Sequence, residues 1–316
     1  METQPQRPPQ QTVIVGGGTM GADVAVVLAR GGHTVTVVEP HADKRARLAP
    51  HVSDCLAPQG LGARAAGVTA VASLDEVHWP AVQLVIECIP EQLPAKQRLF
   101  AELSRRAPAE ALLASNSSSL PISTIAQGLA GRQRMYGLHF FMPAHLVPLV
   151  EVVLGANSDE AGAERLMTLM RGCGSVPVLV RKDKPGFLAN RLQHALAREA
   201  FALIDEGVAT PEDVDAAVRF GFGFRFLAAG PVLQRDHAGL DVHCAAAATI
   251  YPTLANAGEP ARVLREQVQR GRLGIKSGGG FFDWPPERAA AERGRYDRLL
   301  RRGLELLADE LPPIKP

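Results

Sequence analysis

Residues 14–39 read IVGGGTMGADVAVVLARGGHTVTVVE, and this stretch decides the fold. An apolar run leads into Gly16, Gly18 and Gly21, which have Gly-x-Gly-x-x-Gly spacing; a helical stretch and a second apolar run ending at Glu39 follow. In such a βαβ unit the first glycine allows a tight turn, the second lets a pyrophosphate approach the backbone, and the third lets the helix pack on the strand. Free N–H groups at the helix N-terminus hold the phosphates. The pattern predicts a dinucleotide-binding site.

Glu39 indicates which dinucleotide is bound. It lies 18 residues after Gly21, at the position where an acid accepts hydrogen bonds from the adenosine ribose and repels a 2′-phosphate. The predicted cofactor is therefore NAD rather than NADP. A glycine-rich turn without a ligand is the alternative, and the ordered strand, helix, second strand and acid argue against it.

Composition excludes several classes of partner. The 316 residues carry 34 Lys and Arg against 33 Asp and Glu, which predicts no nucleic-acid partner. No apolar run reaches the ~18 residues of a membrane span, so no membrane partner is expected. The four cysteines lack Cys-x-x-Cys spacing, which argues against a metal site or a disulfide scaffold and predicts a cytoplasmic location. The polar residues 1–11 are expected to be a disordered leader.

The order of apolar strands and helical segments predicts an α/β fold with a mostly parallel, doubly wound Rossmann-type sheet. From about residue 184 onward the apolar spacing is helical, and Thr210 followed by Pro211 is typical of a helix start. We therefore expect a dinucleotide-binding domain over residues 12–183 and an all-helical domain over 184–316. The expected strands cover residues 12–15, 34–39, 68–70, 84–88, 112–115, 135–140, 149–154 and 176–180.

His139 and Glu151 are the candidate catalytic base and its partner. His139 ends an apolar strand at the sheet edge where open α/β sheets bind ligands. Imidazole is the commonest general base, and oxidation of an alcohol by NAD needs a base for the hydroxyl proton. Glu151 stands among apolar strand residues, and a buried acid needs a partner. The pair is predicted to work as a histidine–carboxylate unit; a structural role for either residue is the alternative.

Two further polar positions are candidates for binding a substrate. Ser115–Ser119 follow a strand at the ligand edge, although Ser118 or Ser119 also suits the N-cap of a helix ahead of Pro121. Asn190 comes where the two predicted domains meet, a usual place for a substrate cleft, and a helix cap is its other interpretation.

Taken together, the motifs resemble those of the L-3-hydroxyacyl-CoA dehydrogenase family, from about residue 12 to residue 284. The resemblance implies that His139 is the base, Glu151 its partner, and Ser118 and Asn190 the groups that hold the reacting oxygen. It also implies that Glu91 and Lys96 lie near the NAD ribose and that the helical domain forms a homodimer. The segments that carry the resemblance are VIECIPE (85–91) with Lys96, SNSSSL (115–120), HFF (139–141), Glu151, PGFLANR (185–191) and GGGFF (278–282). The candidate cofactor-binding residues are Gly16, Gly18, Thr19, Met20, Gly21, Glu39, Glu91, Lys96 and Asn116.

Three positions depart from the family pattern and bear on the substrate. Met142 stands where the family has an asparagine. Residues 48–67 are shorter than the lysine-bearing arm with which the acyl-CoA enzymes help hold CoA, and their one arginine is Arg64. Residues 223–231 stand in place of the family's Met-Gly-Pro turn. The predicted reaction is NAD-dependent interconversion of an L-3-hydroxyacyl-CoA and the 3-oxoacyl-CoA, a step of fatty acid metabolism. A small free hydroxy acid or a related non-CoA alcohol or aldehyde is the alternative substrate. Arg225 and Arg235 are its candidate carboxylate partners, and a surface position is the other interpretation of either arginine. A non-catalytic NAD-binding protein like the crystallin members is disfavoured, because all four polar site residues are present.

Overall fold

The βαβ unit expected at the start of the chain is present in the computed structural model, which describes residues 11–314. Strand β1 (Gln11–Val15) leads through the glycine turn into helix α1 (Thr19–Arg30), and β2 (Thr34–Val38) returns parallel to β1. Nine residues of α1 are buried, because the helix is covered by the sheet and by neighbouring elements.

The eight strands form one sheet in the order β3-β2-β1-β4-β5-β6-β7-β8. All neighbouring pairs are parallel except β6 and β7. The strand order reverses at β1 and β4, which is where ligands bind in open α/β sheets. The predicted doubly wound, mostly parallel sheet is confirmed. The remaining strands are β3 (Val68–Val71), β4 (Val82–Glu87), β5 (Leu112–Ser115), β6 (Met135–Phe140), β7 (Leu149–Leu154) and β8 (Val176–Val180).

Apolar side chains cover both faces of the sheet. Ile14 belongs to one buried cluster and Val13 and Val15 to the other, since successive strand residues point to opposite faces. The first cluster includes residues of α1, α2 (Ala42–Leu56) and α5 (Glu160–Gly172). The second includes residues of α3 (Leu93–Arg106) and α4 (Ile122–Ile125). This cover explains why the strands are almost continuously apolar.

The described chain divides into two units, residues 11–190 with 309–314 and residues 191–308. The expected boundary lay at residue 184, so residues 184–190 and 309–314 belong to the first unit instead. The backbone N–H groups of Leu188 and Ala189 bind Glu151 of β7, which explains the first difference. Ile314 packs against Gly174, where a Cβ would lie 2.7 Å from its side chain, which explains the second.

The boundary of the expected leader also needs correction. Gln11 is the first residue of β1 and pairs with Thr34 and Val82, because its backbone continues the parallel ladder. Residues 1–10 of the expected leader lie outside the described part of the chain.

The second unit is helical, and residues 191–308 contain isolated β-bridges but no β-strand. Thr210 caps α7 as its sequence predicts, with Oγ1 accepting the Asp213 N–H at 3.2 Å. Helix α6 crosses the boundary between the units. The helices are α6 (Ala189–Asp205), α7 (Pro211–Ala217), α8 (Pro231–Ala238), α9 (Leu240–Ile250), α10 (Arg262–Gln269) and α11 (Pro286–Leu306).

The helical unit buries very little of its apolar surface. Among residues 191–308, only Gly279, Gly280 and Ala289 are buried. Large apolar side chains face solvent, including Phe220, which is 74% exposed, and Val232, which is 77% exposed. No single helix within residues 11–314 is long and apolar enough to cross a membrane; one pair bent by 87°, Pro211–Leu227 with Pro231–Ala238, meets the length and composition requirement together.

Candidate active site

His139 and Glu151 meet across the one antiparallel strand pair of the sheet. They are cross-strand partners on β6 and β7, and the His139 Nδ1 lies 2.7 Å from the Glu151 Oε2. Directly opposed residues of antiparallel strands put their side chains on the same face. Both side chains are buried, with 5% and 0% of their surface exposed. The predicted pair therefore exists as a close contact at the sheet.

Glu151 is held as a carboxylate by three donors. Its Oε1 accepts the N–H groups of Leu188 at 3.0 Å and Ala189 at 2.8 Å, at the start of α6. Burial alone would raise the pKa of Glu151, but the hydrogen bonds from His139 and these two amides lower it below the usual range. Because the carboxylate accepts from Nδ1, that nitrogen carries the proton and Nε2 is left as the basic nitrogen of His139.

A strained turn brings these amides to Glu151. Gly186 and Phe187 both have positive φ, and Phe187, at φ +50°, is not a glycine. The turn places the Phe187 ring 5.6 Å from the His139 ring, between centroids. The Phe141 ring packs against the imidazole at 4.5 Å between centroids, with the two planes inclined by 60°. The two aromatic rings and Glu151 fix the plane of the imidazole.

Ser118 and Asn190 flank this pair in the chain. Ser118 follows β5 and is exposed, whereas Asn190 is partly exposed and comes directly after Ala189 in α6. Their predicted contact with a reacting oxygen stays a prediction. The capping role considered for Ser118 or Ser119 is wrong, because α4 begins after Pro121 without a side-chain cap. Ser119 instead donates its hydroxyl to Glu91 at 2.8 Å.

The glycine turn leaves room for a dinucleotide where the motif requires it. A Cβ on Gly16 would lie 2.7 Å from the Cys88 carbonyl oxygen, and one on Gly21 would lie 1.8 Å from that of Gly16. A Cβ on Gly18 would meet nothing within 4 Å, so this face of the turn is open. Gly18 also begins α1 without a side-chain cap, which leaves the N–H groups of Thr19 and Met20 at an uncapped helix start. These residues fit a bound pyrophosphate.

Glu39 is oriented by two backbone amides beside the turn. Gly17 donates its N–H to Oε2 and His41 donates to Oε1, each at 3.0 Å, and the side chain is buried. The Arg45 guanidinium donates to the Glu39 carbonyl at 2.8 Å and to that of Pro40 at 2.7 Å. The carboxylate is thus held beside the turn, where the sequence predicts it binds a ribose.

Lys96, which is buried, and Glu91, which is exposed, belong to a network of polar contacts that local sequence did not predict. The Lys96 Nζ lies 2.6 Å from Glu87, 3.2 Å from the Ile89 carbonyl and 3.2 Å from Glu91. Ser115 donates to the other oxygen of Glu87 at 2.6 Å. Burial alone would raise the pKa of Glu91, but hydrogen bonds from Ser117 and Ser119 and the charge of Lys96 lower it to about 2.

The structure gives three of the predicted cofactor-binding residues contacts within the protein. Only 1% of the Lys96 side chain is exposed, and its ammonium is paired with carboxylates, so the structure gives it a role in fixing Glu91. Asn116 accepts the Phe140 N–H at 2.9 Å and thereby ties the ends of β5 and β6 together. Direct contact of Glu91, Lys96 or Asn116 with NAD stays a prediction.

Within residues 11–314, no group of His, Cys, Asp and Glu side chains is arranged to hold a metal ion.

Comparison with known proteins identifies the family. The model of the 3-hydroxyacyl-CoA dehydrogenase NAD-binding domain matches residues 11–184, and that of the C-terminal domain matches residues 186–284. The chain belongs to the 3-hydroxyacyl-CoA dehydrogenase family. It is an NAD-dependent oxidoreductase that acts on a hydroxyl group, as the glycine turn, Glu39 and His139 predict.

Two similar relatives are dehydrogenases of different substrates, a pyridine carboxylate and an acyl-CoA. A 5-formyl-3-hydroxy-2-methylpyridine 4-carboxylate 5-dehydrogenase of Mesorhizobium japonicum is 35% identical over 92% of this chain and 97% of its own length. A 3-hydroxyadipyl-CoA dehydrogenase of Escherichia coli is also 35% identical, over 97% of this chain, which spans 63% of that relative's length.

The similar solved structures include dehydrogenases of the same two substrate classes. The crystal structure of a 5-formyl-3-hydroxy-2-methylpyridine 4-carboxylic acid 5-dehydrogenase, an NAD⁺-dependent dismutase, has a TM-score of 0.88 at 32% identity and covers 94% of this chain and 99% of its own. The (S)-3-hydroxybutyryl-CoA dehydrogenase of Ralstonia eutropha has a TM-score of 0.72 at 28% identity, over 88% of this chain and 100% of its own.

Proposed function

We propose that this protein catalyses NAD-dependent oxidation of a hydroxyl or hydrated aldehyde group on a small free carboxylic acid, or the reverse reduction. The observation that carries the chemistry is the buried contact of 2.7 Å between His139 and Glu151 in a chain with a dinucleotide turn. The structural similarity to a pyridine carboxylate dehydrogenase, with a TM-score of 0.88, supports the choice of substrate class.

The residues assign the proton-transfer step. NAD, when bound at the glycine turn, supplies the hydride acceptor. His139 takes the proton of the substrate hydroxyl at Nε2, since Nδ1 is committed to Glu151. Glu151 stabilises the imidazolium that forms, and the amides of Leu188 and Ala189 keep Glu151 ionised. Ser118 and Asn190 are the proposed donors to the reacting oxygen.

The segment that would hold a CoA adenylate supports a small substrate. Its one arginine, Arg64, donates to the carbonyl oxygen of Arg30 in α1 rather than pointing outward. Another basic side chain there, His51, is paired with Asp23 at 2.9 Å. A CoA ester carries phosphates that need cationic or backbone partners, and residues 48–67 direct both of these side chains toward α1 instead.

An acyl-CoA substrate is the second candidate, and the sequence of the catalytic strand favours it. His139 is followed by Phe140 and Phe141 as in the acyl-CoA branch of the family, and a 3-hydroxybutyryl-CoA dehydrogenase of Mycobacterium tuberculosis is 35% identical over 87% of this chain. In this interpretation the same residues transfer the same proton, and only the substrate handle differs.

Initial rates with a panel of substrates test the proposal. The panel contains acetoacetyl-CoA, free 3-oxo acids, and aromatic carboxylates that carry a hydroxymethyl or formyl group, each assayed with NADH or NAD⁺. We expect the highest kcat/KM for a free carboxylate. A kcat/KM for acetoacetyl-CoA that exceeds all free acids by ten-fold or more would replace the proposal with the second candidate.

We also propose a homodimer formed through the helical unit, in a cytoplasmic enzyme. A unit of this length needs an apolar core, yet residues 191–308 bury only Gly279, Gly280 and Ala289 while Phe220 and Val232 stay exposed. A second copy of the same unit is the proposed cover. Light scattering coupled to size-exclusion chromatography is expected to give twice the chain mass of 33.7 kDa, and a monomer at all concentrations would contradict this proposal.

A further inference from the structure

One buried carboxylate on the dinucleotide-binding helix has no part in the chemistry derived above. Asp23 lies in the second turn of α1, just after the glycine turn, and only 3% of its surface is exposed. A buried carboxylate must be paired to be tolerated, so its partners indicate its role.

The partners of Asp23 come from two other parts of the first unit. Its Oδ2 accepts the N–H of Ala144 at 3.0 Å. Its Oδ1 lies 2.9 Å from the Nε2 of His51 on α2 and 3.2 Å from the Nδ1 of His145, the latter at ion-pair distance without hydrogen-bond geometry. Burial alone would raise the pKa of Asp23, but contacts with His145 and His51 lower it to about 2.

Ala144 and His145 belong to the segment that joins the two catalytic strands. Residues 141–148 connect β6, which ends in His139 and Phe140, to β7, which carries Glu151. The ring of Phe141, the first residue of this segment, packs against the His139 imidazole at 4.5 Å between centroids. The position of the segment therefore affects the ring that fixes His139.

A second side chain of α1 holds the same segment. The Arg30 Nη1 donates to the His145 carbonyl at 3.3 Å, and its Nε donates to the Cys173 carbonyl at 2.7 Å. Asp23 and Arg30 thus bind consecutive residues of the segment from one helix. Asp23 already has a hydrogen-bond partner in His51 at 2.9 Å, so its contacts with Ala144 and His145 are additional to the pairing that burial requires.

We propose that Asp23 is a positioning residue: by holding Ala144 and His145 on the dinucleotide-binding helix, it fixes the position of the Phe141 ring against His139. The role of His139 as base comes from the proposed function, and this inference rests on it. Asp23 acts through the segment and does not touch the reacting atoms.

The test compares Asp23→Ala and Asp23→Asn with His51→Gln. His51→Gln is the matched control, because it removes a partner of Asp23 on α2 and leaves the contacts with Ala144 and His145 in place. Two readouts are followed: the NMR signals of the His139 ring in protein labelled at its nine histidines, assigned with His139→Gln, and kcat together with the Kd for NADH. The ring current of Phe141 makes the first readout sensitive to the position of that ring relative to the imidazole.

We expect Asp23→Ala to shift the His139 ring signals and to lower kcat by about 10- to 100-fold with a nearly unchanged Kd for NADH, since small displacements of catalytic groups are costly. Asp23→Asn, which keeps an acceptor for the Ala144 N–H, should recover part of both, and His51→Gln should change neither. A folded Asp23→Ala protein with unchanged His139 signals and kcat would overturn the proposal. So would equal effects of His51→Gln, because these would assign the effect to the stability of α2.

The two proposals fail in different ways. If the wild type turns over none of the substrates, the proposed function fails, while the His139 signals still decide the positioning role. If Asp23→Ala does not fold, Asp23→Asn provides the comparison: a His139 shift larger than that of His51→Gln supports the proposal, and the absence of such a shift overturns it.

Discussion

His139 donates from Nδ1 to Oε2 of Glu151 at 2.7 Å across the antiparallel strands β6 and β7, while Oε1 of the same carboxylate accepts two amides from the start of α6. All three hydrogen bonds to Glu151 come from N–H donors and therefore stabilise its negative charge. Because Nδ1 of His139 carries a proton, Nε2 is the basic nitrogen, and the pair needs the charge of Glu151.

Replacement of either member of the pair should therefore reduce turnover. We expect Glu151→Gln or His139→Gln to lower kcat by roughly 10²–10⁴ with little change in the Kd for NADH, because general-base catalysis is lost while the glycine turn remains. Steady-state rates and NADH fluorescence titration measure the two quantities. Glu160→Gln, an exposed change on α5, is the control, and near-normal turnover in either pair variant would remove the pair from the mechanism.

Glu39 and Arg45 should together control the choice between NADH and NADPH. If Glu39 binds the ribose as predicted, Glu39→Ala removes those hydrogen bonds and should weaken NADH binding by about 10- to 100-fold. NADPH binding should improve, because Arg45 donates to the carbonyls of residues 39 and 40 and would face a 2′-phosphate there without the opposing charge of Glu39.

Fluorescence titration with NADH and NADPH checks the expected reversal. The double variant Glu39→Ala/Arg45→Ala should lose the gain for NADPH, and Arg47→Ala, an exposed arginine of the same helix, is the control. If wild type binds NADPH as tightly as NADH, the role of Glu39 is wrong.

The histidine–carboxylate cluster should make stability depend on pH in a defined direction. The pKa of His51 is raised to about 10, chiefly by its hydrogen bond to Asp23. Burial would lower the pKa of His145, but contact with Asp23 raises it to about 9. A raised pKa stabilises the folded protein fully below the unfolded value of about 6.5 and loses this contribution as the pH rises through the folded value. The Asp23 contribution is fully present above the unfolded pKa of 3.8 and is lost as the pH falls toward the folded pKa of about 2.

The loss of melting temperature caused by Asp23→Ala should thus be largest between about pH 4 and 6.5 and should shrink above pH 9. Thermal denaturation over this range measures it. The comparison is made in a Cys55→Ala background, since burial would raise the pKa of that thiol but contacts with His145 and His51 lower it to about 7, within the same range. A difference that is constant from pH 5 to 10 would show that the ion pairs contribute nothing.

Removal of one member of the buried pair Lys96 and Glu87 should lower the free energy of unfolding more than removal of both charges. Lys96→Met leaves Glu87 buried without its cation and should lower the free energy of unfolding by about 3–5 kcal/mol. In the double variant Lys96→Met/Glu87→Gln the loss should be smaller, because no unpaired charge remains. Urea denaturation followed by circular dichroism measures both. Equal losses in the single and double variants would contradict this account.

The sequence predicted those site residues whose signal is local. The glycine turn and Glu39 lie in one continuous βαβ unit, and His139 and Glu151 end or occupy strands that are adjacent in the chain. Asp23 has no such signal, because its partners His51 and Ala144 are 28 and 121 residues away.

Lys96 illustrates a different limit. The resemblance predicts that it lies near the NAD ribose, which stays a prediction; the contacts of its ammonium with Glu87, Glu91 and the Ile89 carbonyl were not predicted. Burial of the side chain requires these partners, and burial is set by how α3 packs on the sheet, which the local sequence does not express. The positive φ of Phe187 was likewise unpredictable, because the surrounding structure imposes it.

The last prediction concerns whether the protein contacts the adenylate part of a CoA ester. If residues 48–67 do not bind the CoA adenylate, acetoacetyl-pantetheine should be nearly as good a substrate as acetoacetyl-CoA. An adenylate that makes no contact with the protein contributes nothing to kcat/KM, so its removal costs little. The measurement is kcat/KM for the two thioesters in parallel. Arg64→Ala, which removes the one arginine of the segment, should leave their ratio unchanged, since its guanidinium is engaged with the Arg30 carbonyl. A large drop for the pantetheine ester would instead reveal contacts that hold CoA and would set aside the free-acid substrate.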